Sequence, residues 1–183
     1  KLSRSVGMLT KLRHYIPHKV LRSVYFAIFS SVLNYGSIVW GQHPNSNIKR
    51  LESIQNKAMR IINFAPFNAP TNALYRENKI LKFKDNIKLQ NLLLVYDDTN
   101  KRVPFALQNT FKPLKDKQNY QTRGVTNFKM CLPKINKVTY GEFSIGYQAA
   151  KLWNEMVTKF PNEKLNEKSR VYTKDFFINL FLE

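Results

Sequence analysis

No acidic residue occurs in this sequence before Glu52. Residues 1–60 set ten Lys and Arg against that single carboxylate, a balance of +9, and the remaining 123 residues, with twenty cations and eleven acids, add only +9 more. The first third is therefore twice as charge-dense as the rest. Over all 183 residues the formal net charge is +18. Such an excess points to a polyanionic partner, nucleic acid or an acidic membrane surface, against the bland alternative of a merely soluble basic protein.

Cysteine is nearly absent too. Cys131 stands alone, which excludes an internal disulfide, and no Cys/His cluster exists to hold zinc. An intracellular setting, nuclear or cytoplasmic, is expected, and Cys131 reads as a buried, inert thiol. The six glycines are scattered and form no phosphate-cradling loop. There is no secretory signal and no initiator Met, and Lys1 falls mid-pattern in a helix, so the chain reads as a piece of a longer protein. Charge of either sign is missing from Ser23 to Ile48. That run is long enough to span a bilayer. However, Ser30, Ser31, Asn34, Gly36 and Ser37 interrupt it, and Gly41–Gln42–His43–Pro44 closes it with loop chemistry. A central helix sheathed by its neighbours explains the run better, and no membrane partner is expected.

What is present suffices for a core. Hydrophobic residues make up 43% and aromatics 13%, which argues against general disorder and allows one ordinary domain or two small ones. Lys1 to Tyr15 reads as a helix, with Leu2, Val6, Leu9 and Ile16 on one face and Arg4 and Lys11 opposite. Pro17 ends it. His18 to Asn34 reads as a second helix, apolar nearly all round. A third runs to Asn63, capped by Asn45 or Ser46. On it, Ile48, Leu51, Ile54, Ala58, Ile61 and Ile62 occupy one arc at roughly 100° per residue. Lys49, Arg50, Lys57 and Arg60, with Ser53, occupy the neighbouring arc. One reading is a solvated face, where cations usually alternate with Glu. Here Glu52 points elsewhere and the stripe is uncompensated, which favours a phosphate backbone as its partner.

Residues 65–70, Ala-Pro-Phe-Asn-Ala-Pro, read as a linker. Thr71 caps a short helix to Asn78, and another runs from Lys84–Asp85 to Tyr96. Val103–Asn109 reads as one helical turn, Phe128–Leu132 and Phe143–Tyr147 as short strands, and Gln148–Lys159 and Arg170–Leu182 as helices.

The stretch Val95-Tyr96-Asp97-Asp98 raises the question of a two-metal polymerase site. Such a site needs paired carboxylates on a rigid turn between strands. This pair instead follows a helical pattern, so the aspartates are expected just past the helix end, in solvent. His14 and His18 are four apart, but Pro17 breaks the helix that would pair them, and they read as surface or interhelical residues. By elimination the chain binds rather than reacts.

Three pieces in order, KLSRSVGMLTKLRHYIP, LNYGSIVWGQ and LESIQNKAMRIIN, resemble the C-terminal part of reverse transcriptases of non-LTR, LINE-type, jockey-like retrotransposons. ALYRENKILKFKDNIKLQ follows. Tyr120 to Arg123 is similar to a family Tyr-Asn-Thr-Arg signature, and SIGYQAAKLWNEM to a Tyr-x-Gly-x-Lys-x-Trp-Asn pattern, with Ala149 where the family often has Gly. The resemblance implies that residues 1–64 are a thumb-like three-helix bundle and that residues 71–183 are a reverse-transcriptase-associated helical region, loop-rich over 97–142. It also implies that fingers and palm, with the catalytic aspartates and their Mg2+, lie in preceding polypeptide.

The fold expected is thus mainly α, a three-helix thumb-like bundle followed by a second helical region with at most a short β-ribbon. A thumb grips duplexes of any sequence and needs cations and hydroxyls on a rigid helix rather than base readout. Lys49, Arg50, Ser53, Lys57 and Arg60 meet that need, with Arg4, Lys11 and Arg13 added. The expected partners are an RNA template and DNA primer and the upstream fingers and palm. No catalytic residue, metal ligand or cofactor is expected in this segment. The alternatives are a helical module that docks on a protein, with Phe176, Phe177 and Phe181 as the docking or plain core face, and a membrane-associated helical protein.

Overall fold

The structure is a computed structural model that describes residues 1–42, 46–116, 128–136, 141–161, 163 and 168–182. It is mainly α. Among the described residues there is no strand, only an isolated antiparallel bridge between Pro113 and Met130. The chain divides into two compact units, residues 1–86 with 180–183, and residues 87–179. The segment expected as a linker, residues 65–70, is free of helix, but the division falls later, between residues 86 and 87.

The first unit is built on α1 (Leu2–Leu12), a helical run over residues 18–34, and α5 (Ser46–Ile62). The run comprises α2 (His18–Val24), a π-helical stretch Tyr25–Ser30 and α3 (Ser31–Asn34). Gly36, at φ 61°, turns the chain in the left-handed conformation that glycine tolerates best, and α4 (Ser37–Trp40) follows. The cap expected at Asn45 or Ser46 rests on Asn45 and the Ser46 side chain, which lie outside the described residues, as do His43 and Pro44. Leu9, Leu21, Tyr25, Phe29, Leu33, Met59 and Ile62 are buried together as the core. Tyr25 stacks on Phe29 at 5.2 Å between ring centres. No described helix is long and apolar enough to cross a membrane.

Two buried polar groups fix this packing. The π-helical stretch loosens the ordinary backbone ladder, and the Ser5 hydroxyl, buried on α1, donates to the Ile28 carbonyl at 3.0 Å. Gln55, on the apolar arc of α5, is also buried. Its amide nitrogen donates to the Leu81 carbonyl at 3.1 Å and, more weakly, to the Tyr25 hydroxyl at 3.4 Å, while its carbonyl accepts from the Phe83 amide at 2.9 Å. Burial pushes the Tyr25 phenol up to about 12, with the Gln55 contact acting in the other direction. The Tyr75 phenol, also raised by burial, donates to Asn56 at 3.0 Å.

Helix α6 (Thr71–Glu77) starts after Pro70, and Thr71 is its first residue rather than its cap. Both α5 and α6 close with the same backbone device. After α5, Phe64 takes φ 53°, the Ala65 amide reaches back to the Arg60 carbonyl at 2.9 Å and the Phe64 amide to Ile61 at 3.2 Å. After α6, Lys79 takes φ 51°, with Ile80 bonded to Tyr75 and Lys79 to Arg76, both at 3.0 Å. These paired bonds satisfy the last helical carbonyls. Glycine usually fills that left-handed position. In this glycine-poor chain Phe64 and Lys79 fill it, at a cost of roughly 1–2 kcal/mol each.

The second unit holds most of α7 (Phe83–Thr99), α8 (Ile145–Lys159) and most of α9 (Arg170–Leu182). The turn expected over Val103–Asn109 is a short 3-10 segment, Phe105–Leu107. Phe128–Leu132 forms no strand beyond the bridge at Met130. The strand expected over Phe143–Tyr147 is instead the start of α8, because the Ser144 hydroxyl caps it by accepting from the Tyr147 amide. Ala149, Ala150, Trp153, Met156 and Val157 form its buried face. The Trp153 indole donates to the Phe128 carbonyl at 3.1 Å. The Asn154 amide pairs with both backbone groups of Met130, at 2.7 and 2.9 Å. Phe177 is buried and Phe176 packs edge-on against Phe160 and Phe177, so α9 uses this face as core. Cys131 is half-buried rather than buried, its thiol 3.7 Å from the Pro113 carbonyl. The signature over Tyr120–Arg123 lies outside the described residues.

Candidate nucleic-acid interface

Helix α5 carries its cations outward. Lys49, Arg50, Ser53 and Lys57 are exposed and Arg60 is half-exposed. At roughly 100° per residue the five side chains spread over about a quarter of the helix circumference. Glu52 lies outside that stripe and its carboxylate is bound 3.2 Å from the Lys84 ammonium. Among the described residues no carboxylate pairs with Lys49, Arg50, Lys57 or Arg60. Like charges this close repel, and burial of the opposite arc (Ile48, Ala58, Met59 and Ile62) fixes the stripe on the outward side of the helix.

The remaining expected cations divide. Arg13 stands beside the stripe, its guanidinium 5.5 Å over the Phe64 ring. Arg4 and Lys11 are exposed on α1, but roughly half a turn away from Arg13, and the structure does not bring them to the same surface. Arg60 is partly committed, since its Nε donates to the Ala69 carbonyl at 2.9 Å. That bond folds residues 65–70 back over the end of α5.

Between α1 and α5 lies a cleft of about 310 Å3. Val6, Thr10 and Arg13 line it from one helix, Lys57, Arg60 and Ile61 from the other, and Ala65 and Phe67 from the segment that follows. Phe67 is 80% exposed. Sequence reading overlooked this cleft, because Phe67 sat in a segment taken for a linker. The aromatic between two prolines, Pro66 and Pro70, was the available signal.

His18 and the Asp97–Asp98 pair are each held by other groups. His18 lies 3.3 Å from Asn63, an interhelical contact as expected. Asp97 and Asp98 do not lie past the helix in solvent. They sit in the last turn of α7. Asp97 takes a forked pair of bonds from Arg170, with Nε at 2.8 and 3.1 Å and an outer nitrogen at 3.0 Å. These bonds hold the Arg170 guanidinium above its usual range. Asp98 is buried, and its two oxygens accept from the Asn109 and Phe111 amides at 2.9 and 2.8 Å. Every oxygen of the two carboxylates thus already accepts a hydrogen bond from a protein donor. Among the described residues no group of three or more His, Cys, Asp or Glu is placed to hold a metal.

No protein-family model, curated protein or solved structure matches this chain.

Proposed function

We propose that the chain is a non-catalytic, thumb-bearing part of an RNA-directed DNA polymerase of the non-LTR retrotransposon kind, nuclear or cytoplasmic, and that α5 grips its template–primer duplex or the element's RNA. One observation carries the binding reading. Lys49, Arg50, Lys57 and Arg60, with the Ser53 hydroxyl, line one side of a rigid helix and meet no carboxylate among the described residues. A regular anion ladder relieves that repulsion, and contacts to it carry no base information. The polymerase assignment is drawn from the ordered sequence pieces, from the KLSRSVGML segment to the AAKLWNEM segment. The chain polymerises nothing by itself, and the metal-bearing palm is a protein partner.

The test is a titration of labelled RNA–DNA hybrid at several salt concentrations. Binding shows little sequence preference and falls steeply with salt. Reversing Lys57 and Arg60 to Glu costs about 1 kcal/mol or more and flattens the salt slope by roughly two phosphate contacts. Binding that does not change from low to moderate salt rejects the proposal.

A second reading, a helical module that docks on another protein, is favoured by exposed apolar side chains along residues 20–40, among them Val20, Phe26, Val32, Val39 and Trp40. Co-purification with a palm fragment that is lost on Val39→Asp, with hybrid binding absent, selects it.

A further inference from the structure

We infer that the cleft between α1 and α5 receives an unpaired nucleotide adjoining the duplex; this rests on the duplex reading and extends it. A double helix offers phosphates but hides the faces of its bases. The stripe on α5 suits the former, while the cleft has a different chemistry. Its lining is partly apolar and aromatic, from Val6, Ile61, Ala65 and the 80%-exposed Phe67. Its rim is cationic, from Arg13, Lys57 and Arg60, with no carboxylate paired to any of them among the described residues. A ligand matching both has a flat apolar face and an anion a few ångströms from it. An unstacked nucleotide has both, and aromatic side chains beside a positive groove hold such nucleotides whatever their base. At about 310 Å3 the cleft is at the small end of ligand sites, which run from roughly 300 to 1,000 Å3. Two features of the backbone shape it. Phe64 holds a left-handed conformation at φ 53° and meets Arg13, and the Arg60–Ala69 bond folds the segment bearing Phe67 over the helix end. Lys57 and Arg60 belong to both surfaces, so the cleft adjoins the stripe and reads the strand where pairing ends.

Fluorescence anisotropy on the full chain tests this with three labelled ligands: a blunt RNA–DNA hybrid, the same hybrid with a short single-stranded extension, and one whose extension lacks bases. The base-bearing extension is expected to bind about tenfold tighter than either control. Phe67→Ala removes that gain and leaves blunt binding intact; its side chain is exposed, so folding is undisturbed, and circular dichroism checks this. Phe67→Trp retains the gain. Equal binding of blunt and extended hybrids overturns the inference while salt-dependent blunt binding keeps the duplex reading. So does an equal gain from the abasic extension, which assigns the cleft to charge alone, or a gain that survives Phe67→Ala. Failure of all three ligands to bind overturns both.

Discussion

The two units treat charge in opposite ways. In the first, the cations of α5 are left facing outward with no described acid against them, while the polar groups buried inside, Ser5, Ser37, Gln55 and Asn78, are neutral. In the second, two acids are spent on architecture: Asp97 clamps Arg170 onto α7 and Asp98 ties down the backbone at Asn109 and Phe111. A carboxylate placed among backbone amides serves stability. A cation held against like neighbours by a buried opposite face gives the fold no such bond. The difference separates charge engaged inside the fold from charge left facing outward, in one chain whose overall excess, read as a single number, conceals it.

The comparison breaks most readily at Asp98. Asp98→Ala strands two backbone amides and should cost about 3 kcal/mol in urea unfolding, with fast hydrogen exchange at Asn109 and Phe111 as the local signature. An unchanged midpoint would mean the carboxylate is no anchor. Next is Gln55. Gln55→Leu leaves the Phe83 amide and the Leu81 carbonyl without partners and should destabilise the first unit by about 2 kcal/mol. Alkaline pH probes the same spot. The Tyr25 proton is held more tightly in the folded state, its pKa pushed up to about 12 from the ordinary 10.0, so the unfolded chain ionises first. Stability is therefore intact below about pH 10 and declines as pH rises toward 12. Tyr75, raised in the same direction, adds to the decline. A Tyr25→Phe chain should show a shallower loss, followed by unfolding midpoint against pH. The smallest effects sharpen the contrast in sign. Arg170→Gln should lower stability by up to about 1 kcal/mol, since the forked bond is half exposed. Lys57→Gln should raise it by a few tenths, because it relieves repulsion. Two losses of equal size would erase the distinction between the units.

Much of the fold was legible because its signals are local. Pro17 and the apolar run after it mark the helical residues 18–34, and the aromatic spacing of Arg170–Leu182 matches α9. What misled was non-local or too short. Asp97 and Asp98 find their partners 73, 11 and 13 residues along the chain, so nothing beside them announces a structural role. Phe143, Ile145 and Tyr147 alternate as a strand would, but a span this short cannot overrule the Ser144 cap and the buried series through Val157. In the candidate site, the stripe on α5 follows from helical periodicity alone. The cleft needs Val6 and Phe67 brought to one place, and no pattern within one segment holds that pairing.

The Asn154 side chain has a further consequence. Residues 129–131 bond on one flank to residues 112–114, through Leu114 to Lys129 and Cys131 to Lys112, and on the other flank Asn154 saturates Met130. Neither edge of that extended piece stays open to template a strand from a neighbouring molecule. A single amide thus closes the outer margin of the part of the chain that comes closest to β structure, and its removal would leave the Met130 amide and carbonyl without that partner.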